Sequence, residues 1–212
     1  MISLLSQRIS NSIAHYLNYD DAEEQWLSYG LEIMIGKVIN VSIILAIALL
    51  LGHLLEVLIF LIIFTSLRKS TGGYHFSNDV LCSAVSLSLC FCTVFMSYRW
   101  DNNKSVYMIS LLSLLGSLLI ITLAPINHPH LHLTEDEMSV LKKRTLLKLC
   151  ILSPLLHIAV YMPIPKHFIV VGNAAIISVA ALILISKMTG QEDAISEKEV
   201  RNFRKDGRTG IK

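Results

Sequence analysis

Charged residues are scarce in this chain, at 16% of its 212 residues, whereas soluble domains usually contain about 25%. Hydrophobic residues make up 53% of it, and the formal net charge is only +2. This composition is far from that of a water-soluble domain, so it excludes an ordinary soluble protein and indicates an integral membrane protein.

Cysteine is also rare. The four cysteines, Cys82, Cys90, Cys92 and Cys150, lie within or beside apolar runs and indicate no disulfide framework. Cys90 and Cys92 are two residues apart on a predicted helix, so they face different directions and do not make a metal clamp. Cys150 has no polar neighbour to activate it. We therefore interpret these last three as packing residues.

Several sequence motifs are missing. The N-terminus lacks a basic region followed by one apolar block and a small-residue cleavage site, so we expect no cleaved signal. The chain has no glycine-rich phosphate loop, internal repeat or low-complexity tract. We expect no cofactor and no nucleic acid partner.

What the chain does have is six apolar runs, at 31–52, 54–67, 80–97, 106–124, 145–162 and 168–186. Most are close to the ~17–25 residues that cross a bilayer as a helix. The predicted fold is therefore all-α, a single membrane domain over 1–212 with about six transmembrane helices in a bundle at 31–186. The run 54–67 is the weakest, because it is short and carries Glu56. The run 54–67 forms either a tight helical hairpin with the first run or a re-entrant segment.

The N-terminal segment, 1–28, has its own pattern. Apolar residues recur at helical spacing: Ile2, Leu5, Ile9, Ile13, Tyr16 and Leu17. Polar residues fill the positions between them, which predicts an amphipathic helix lying in the membrane interface. An ordinary helix that caps the bundle is the alternative.

Lysine and arginine set the predicted orientation, because an excess of positive charge marks cytoplasmic loops. With six spans and the N-terminus inside, thirteen basic residues are cytoplasmic: Arg8, Arg68, Lys69, Lys142, Lys143, Arg144 and the seven from Lys187 to Lys212. Three are outside: Arg99, Lys104 and Lys166. We expect both termini, the basic tail 187–212 and the segment around His75 on the cytoplasmic side of the cell membrane.

A basic segment interrupts the apolar pattern between the second and third runs. It reads Arg68-Lys69-Ser70-Thr71-Gly72-Gly73-Tyr74-His75, and Cys82 lies seven residues after the histidine. A free thiol is a poor nucleophile at neutral pH, whereas a neighbouring imidazole can take its proton. If the chain is helical from Phe76 onward, His75 and Cys82 lie two turns apart on one face. The segment therefore predicts a cysteine and histidine pair at a membrane face.

A second polar segment comes after the fourth run. Thr134 and Glu137 have the spacing of a capping box, so we expect a helix to begin there. Three alternating histidines precede it: His128, His130 and His132. With Glu135 they suggest a zinc site, but the helical i, i+4 spacing of many zinc sites is missing, and we favour solvated loop histidines without a metal. The run Lys142-Lys143-Arg144 is either a membrane anchor or a site for an acidic partner or lipid headgroups.

These segments together resemble the AgrB family, the membrane cysteine endopeptidases of Gram-positive quorum sensing. The likeness covers nearly the whole chain. It consists of the amphipathic N-terminus, the Arg68, Gly72-Gly73-Tyr74-His75 and Cys82 motif, and a loop with Ala124-Pro125, Pro129 and Glu135 that ends in a Lys/Arg cluster.

The resemblance implies a peptide-processing reaction on an AgrD-like precursor. Cys82 matches the cysteine that attacks a peptide bond near the precursor's C-terminus, and His75 matches the histidine that activates it. The tail leaves, an acyl-enzyme thioester remains, and an internal Cys or Ser of the precursor closes a thiolactone or lactone ring.

Further residues have supporting roles by resemblance or by chemistry. Arg68 matches a basic residue that the family uses for activity, and it either binds a substrate carboxylate, orients the loop or anchors the helix. Gly72 and Gly73 supply oxyanion donors or only a sharp turn. Asp79 shares the predicted helical face of His75, where it orients the imidazole or caps the helix. Family precedent has the cluster Lys142, Lys143 and Arg144 attract the acidic end of the precursor.

The predicted partners are an AgrD-like precursor, membrane lipids and a second copy of the chain in a homodimer. One alternative is a small membrane transporter or peptide-binding module without protease activity, which needs polar residues facing each other deep in several spans. Such residues are sparse: Lys37, Glu56, Lys148 and Asn173. The other alternative is a zinc hydrolase built on the three loop histidines.

Overall fold

The computed structural model describes residues 2–17, 19–71, 79–100, 102–126 and 135–189. Within these ranges the chain forms seven α-helices and no strand. The helices are α1 Ile2–Leu17, α2 Asp21–Leu50, α3 Leu54–Thr71, α4 Asp79–Arg99, α5 Asn103–Leu123, α6 Glu135–Ala159 and α7 Lys166–Met188. The predicted all-α class is confirmed.

Each of the six predicted apolar runs forms one helix, from α2 to α7. Three helices are long and apolar enough to cross a bilayer: Leu27–Leu50 within α2, and the whole of α5 and α7. A shorter apolar stretch, Ala84–Arg99, lies in α4. These helices are those of a membrane protein. That α3 and α6 also cross the membrane stays a prediction, because both carry several charged residues.

The described chain divides into two compact units, residues 2–52 and residues 53–189. In the first unit, α1 packs on α2. The buried residues of α1 are Ser6, Ser10 and Ala14, which recur at intervals of four and so line one face. Leu5 and Ile9 are exposed. Small residues let two helices approach closely, and the exposed apolar side chains are suited to contact with lipid.

The second unit is built around α7, which packs against α3, α4, α5 and α6. Two glycines permit close packing of these helices. A Cβ atom added at Gly172 would lie only 2.6 Å from Cδ2 of Leu156 on α6. A Cβ atom added at Gly116 on α5 would lie 3.4 Å from Cβ of Ala180. The small residues therefore set how closely α6 and α5 approach α7.

A buried carboxylate joins α3, α4 and α7. Glu56, in the first turn of α3, is 4% exposed and accepts a hydrogen bond from the Tyr98 hydroxyl at the end of α4. Nε2 of His167, at the start of α7, lies 3.5 Å from the same carboxylate oxygen. The Tyr98 and His167 rings are stacked, with centroids 4.8 Å apart. The acidic residue that weakened the sequence pattern of this run is thus paired within the bundle.

A second polar cluster joins α5, α6 and α7. The Asn173 side-chain nitrogen donates to the Ile169 carbonyl at 2.9 Å and to the Ser110 hydroxyl at 3.4 Å. Its side-chain oxygen accepts from the Ser113 hydroxyl. Nε2 of His157 lies 3.0 Å from the Ser110 carbonyl oxygen. Each polar atom of the Asn173 side chain therefore has a partner inside the protein, as burial requires.

Candidate active site

The predicted nucleophile, Cys82, lies in the first turn of α4, which begins at Asp79. The predicted base and turn residues, His75, Gly72 and Gly73, lie outside the described residues. The shared face of His75 and Cys82 therefore stays a prediction. The first turn of a helix favours a negative charge through its free N–H groups and its dipole. The position of Cys82 is thus suited to a thiolate.

The segment that carries the predicted histidine follows the C-terminal end of α3, which is buried and hydrogen-bonded to other parts of the chain. Ser70 and Thr71, the last two residues of α3, are 2% and 0% exposed. The last four carbonyls of a helix have no partner within that helix. Here the Thr145 hydroxyl on α6 donates to the Ser70 carbonyl at 3.2 Å, and the Ile126 N–H donates to the Thr71 carbonyl at 3.0 Å.

Lys148 on α6 adds a third connection to the same end of α3. Its ammonium group donates to the carbonyl of Ser66 and to the hydroxyl of Ser70, the latter at 3.2 Å. A cation near the C-terminal end of a helix is favoured by the helix dipole. Lys148 and Thr145 were not predicted as site residues from the sequence. The one signal that could have found them is a lysine within an apolar run, which often marks a functional position.

Arg68 lies one turn before the end of α3. Its guanidinium carbon is 5.9 Å from the centroid of the Phe64 ring, within the range of a cation–π contact. Lys69 beside it is exposed. The structure thus places the first basic residues of the predicted motif, Arg68 and Lys69, in the last turn of α3, directly before the segment that contains the two glycines in the sequence.

The predicted basic cluster, Lys142, Lys143 and Arg144, is exposed on α6. The next residue, Thr145, is buried and contacts α3. Thr145 and Lys148 both contact Ser70, the residue after Lys69, so the basic residues of α6 and of the end of α3 are close together. Two parts of the chain that are about 75 residues apart therefore form one positively charged region.

The second polar segment is described only from Glu135, where α6 begins. The helix start that the sequence predicted is there, while Thr134 and the three histidines, His128, His130 and His132, lie outside the described residues. Among the residues that the structure does describe, no group of three or more His, Cys, Asp or Glu side chains is placed to hold a metal ion.

The other cysteines occupy different environments. Cys90 is buried, while Cys92 and Cys150 are exposed, and all three are free thiols. Cys90 and Cys92 therefore face different directions, as predicted. A groove of about 270 Å³ runs along α4 and begins two residues after Cys82; it is lined by Ala84, Val85, Ser88, Leu89 and Cys92.

Comparison with known proteins gives one family. The model of the family described as AgrB, accessory gene regulator B, matches residues 6–189. An AgrB-like protein of Clostridium perfringens is 33% identical over 96 residues, which is 45% of each chain, so this chain spans less than half the length of that relative. An AgrB-like protein of Halalkalibacterium halodurans is 29% identical over 65% of this chain and 70% of its own. One of Listeria innocua is 26% identical over 95% of both chains. No solved structure matches the chain.

Proposed function

We propose that this chain, which belongs to the accessory gene regulator B (AgrB) family, is a membrane-embedded cysteine endopeptidase that processes and cyclises an AgrD-like propeptide. One observation carries the proposal. The family match includes Cys82 in the first turn of α4, and His75 lies in the short segment of sequence that joins the buried end of α3 to that helix. A thiolate and an imidazole are the groups that acyl transfer through a thioester needs.

In the first step, the Cys82 sulfur attacks the carbonyl carbon of a peptide bond near the precursor's C-terminus. His75 takes the thiol proton and then gives it to the departing amine. The C–N bond breaks as the S–C bond forms, so the acidic tail leaves and the rest of the precursor stays on Cys82 as a thioester.

In the second step, an internal Cys or Ser of the precursor attacks the thioester carbonyl. Its proton passes through His75 to the Cys82 sulfur, and a thiolactone or lactone ring leaves the enzyme. Water competes with this step, so a partly dry site that holds the internal nucleophile close to the carbonyl favours ring closure. This competition gives a physical reason for a site in the membrane.

The supporting residues have roles around this pair. Arg68 binds a substrate carboxylate or orients the histidine segment. Gly72 and Gly73 present backbone N–H groups to the oxyanion. Asp79 orients the imidazole or stabilises the start of α4. The exposed cluster Lys142, Lys143 and Arg144 attracts the acidic tail of the precursor and raises its local concentration.

The proposed topology has both termini and the entrance to the site on the cytoplasmic side, since the positive charges of the inner segments require it. The chain works on a precursor at the inner face of the membrane, in contact with lipid, as a homodimer.

The transporter alternative needs polar residues that face a path through the bundle. The described bundle does contain such a polar cluster, around Asn173, but the amide is fully hydrogen-bonded to α5 and to its own helix. An amide whose two N–H donors and carbonyl oxygen are hydrogen-bonded within the protein stabilises the helix contact, and it has no N–H left to donate to a substrate. This cluster therefore supports packing, and we do not favour transport.

The test is processing of the precursor by purified enzyme in lipid nanodiscs. Cys82→Ala should abolish release of the tail, because the nucleophile is gone, while insertion and helix content stay the same. His75→Ala should lower release strongly, because an unassisted thiol is only a few per cent ionised at neutral pH. Cys92→Ser, on the same helix, is the matched control and should process normally. Tail release by Cys82→Ala at the wild-type rate would refute the proposal.

A further inference from the structure

The basic and polar residues of α6 near the end of α3 fall into two groups. The residues Lys142, Lys143 and Arg144 are exposed. Thr145 and Lys148, within the next turn of α6, reach the final turns of α3 through a hydroxyl and an ammonium group. Basic residues on one helix can therefore act in two ways, by attracting a substrate or by fixing the protein.

The acceptors on α3 need these donors. Ser70 is 2% exposed, so its carbonyl cannot exchange a lost partner for bulk water without a cost. The Thr145 hydroxyl donates to that carbonyl, and Lys148 donates to the Ser70 hydroxyl and to the Ser66 carbonyl. Residues of two helices are thus joined in one network. Removal of the Thr145 hydroxyl leaves the buried Ser70 carbonyl without its donor from α6, whereas the Ser66 carbonyl keeps the N–H partner of its own helix when Lys148 is replaced.

The network lies at the point where the chain leaves α3 and enters the histidine segment. α3 ends at Thr71, and only three residues separate it from His75. The Cα atoms of Thr71 and His75 are therefore at most about 14 Å apart, so a shift of the helix end changes the region that the histidine can reach. A displacement of about 1 Å at a reacting group can cost about 100-fold in rate.

We propose that Lys148 and Thr145 are positioning residues of this enzyme: they hold the C-terminal end of α3, and through it the His75 segment, in register with Cys82. This inference rests on the proposed function. It separates the basic residues of α6 into a binding group, Lys142 to Arg144, which acts on the KM for the precursor, and a positioning group, which acts on kcat.

The experiment measures tail release by enzyme in nanodiscs. The probe is a synthetic AgrD-like peptide with an amphipathic leader, a central Cys and an acidic C-terminal tail that carries a fluorophore. Lys148→Met should lower kcat by at least ~10-fold and change KM by less than ~2-fold. Lys148→Arg keeps a charged donor and should stay within ~3-fold of wild type. Lys143→Met should raise KM and leave kcat nearly unchanged.

Two matched controls isolate the contact. Lys104→Met removes a lysine from α5 that lies outside the network, and both of its constants should be those of wild type. The single hydroxyl proton of Thr145 is shared between the Leu141 carbonyl of its own helix, at 2.9 Å, and the Ser70 carbonyl of α3, at 3.2 Å, whereas that of Thr122 goes to carbonyls of its own helix. Thr145→Val should therefore lower kcat, and Thr122→Val should not.

A double-mutant cycle tests whether Lys148 acts through Ser70. Ser70→Ala removes the hydroxyl that accepts from Lys148 and keeps the carbonyl that accepts from Thr145, so the loss of kcat in the double variant with Lys148→Met should be smaller than the product of the single losses. Full additivity would overturn the inference. A rise in KM for Lys148→Met with unchanged kcat would also overturn it, since Lys148 would then be a substrate contact.

Loss of folding does not remove the test. If Lys148→Met does not insert normally, Ser70→Ala and Thr145→Val test the inference instead, because each removes a single hydroxyl. A wild-type kcat in both variants would contradict the inference. The proposed function fails in a different way, when Cys82→Ala releases the tail as fast as wild type. If wild type is active, Cys82→Ala is inactive and Lys148→Met has wild-type constants, then the positioning role is refuted and the proposed function is not.

Discussion

The buried carboxylate of Glu56 offers a sharp test of how the bundle is held together. In Tyr98→Phe, the ring and its stacking on His167 remain, and only the hydroxyl that donates to Glu56 is lost. A hydrogen bond to a charged group contributes about 1.5–3 kcal/mol, and Tyr98 is 45% exposed, so we expect the lower part of that range. A loss of about 1.5–2 kcal/mol lowers the Tm of a chain of this size by about 3–8 °C.

The assay is thermal unfolding in detergent micelles, monitored by circular dichroism. Tyr107→Phe is the control, because Tyr107 is similarly exposed, at 50%, and does not lie beside Glu56. Adding Glu56→Leu to Tyr98→Phe removes the carboxylate as well as the donating hydroxyl and should recover part of the lost Tm, because a buried carboxylate that keeps only its 3.5 Å contact with His167 is then no longer present. An unchanged Tm in Tyr98→Phe, or a double variant less stable than both single variants, would refute this reasoning.

Two further predictions concern the cysteines and the topology. In the folded protein a membrane-permeant maleimide should modify Cys92 and Cys150, which are exposed, before Cys90, which is 0% exposed. Mass spectrometry of the digested protein measures the order of labelling. Fast labelling of Cys90 would contradict the packing of α4. Single cysteines placed in the loop 99–104 should react with a membrane-impermeant reagent from outside intact cells, and cysteines placed at 128–132 should not, because the positive charge brackets them in that way. Exterior labelling of 128–132 would overturn the six-span topology.

The helices of the second unit were predictable because an apolar run of this length has few alternatives in a membrane. The start of α6 at Glu135 was predictable from local capping chemistry, in which the partners are close in sequence. Such features depend on neighbours within a few residues, and a single sequence contains them directly.

The contacts that hold the site together could not be predicted in this way. Lys148 and its acceptor Ser66 are 82 residues apart, and Tyr98 and Glu56 are 42 apart. The periodicity of a sequence predicts which face of a helix is apolar, but it does not predict which other helix that face contacts. The pattern therefore identified Glu56 as a weakness of the second run, although the folded chain pairs it, and it gave Lys148 no role.

The buried face of α1 shows a second limit. The sequence pattern predicts an interfacial helix with Leu5 and Ile9 on its apolar face, but it does not identify the residues that contact α2. Here the buried residues are Ser6, Ser10 and Ala14, since lipid can cover apolar side chains and close helix packing needs small ones. Exposure alone does not separate a lipid-facing residue from a packing residue in such a chain.

The most direct test of the central claim is the detection of a covalent intermediate on Cys82. The precursor is synthesised with its internal nucleophile replaced by Ala, mixed with the purified enzyme and quenched in acid. If a thioester forms, the tail is still released and a peptide adduct that hydroxylamine removes builds up on Cys82, until water slowly frees a linear acid. Intact-mass spectrometry measures this adduct, and chelators should not affect it. Tail release with only linear product and no adduct at any quench time would show direct hydrolysis and contradict the proposed cyclisation.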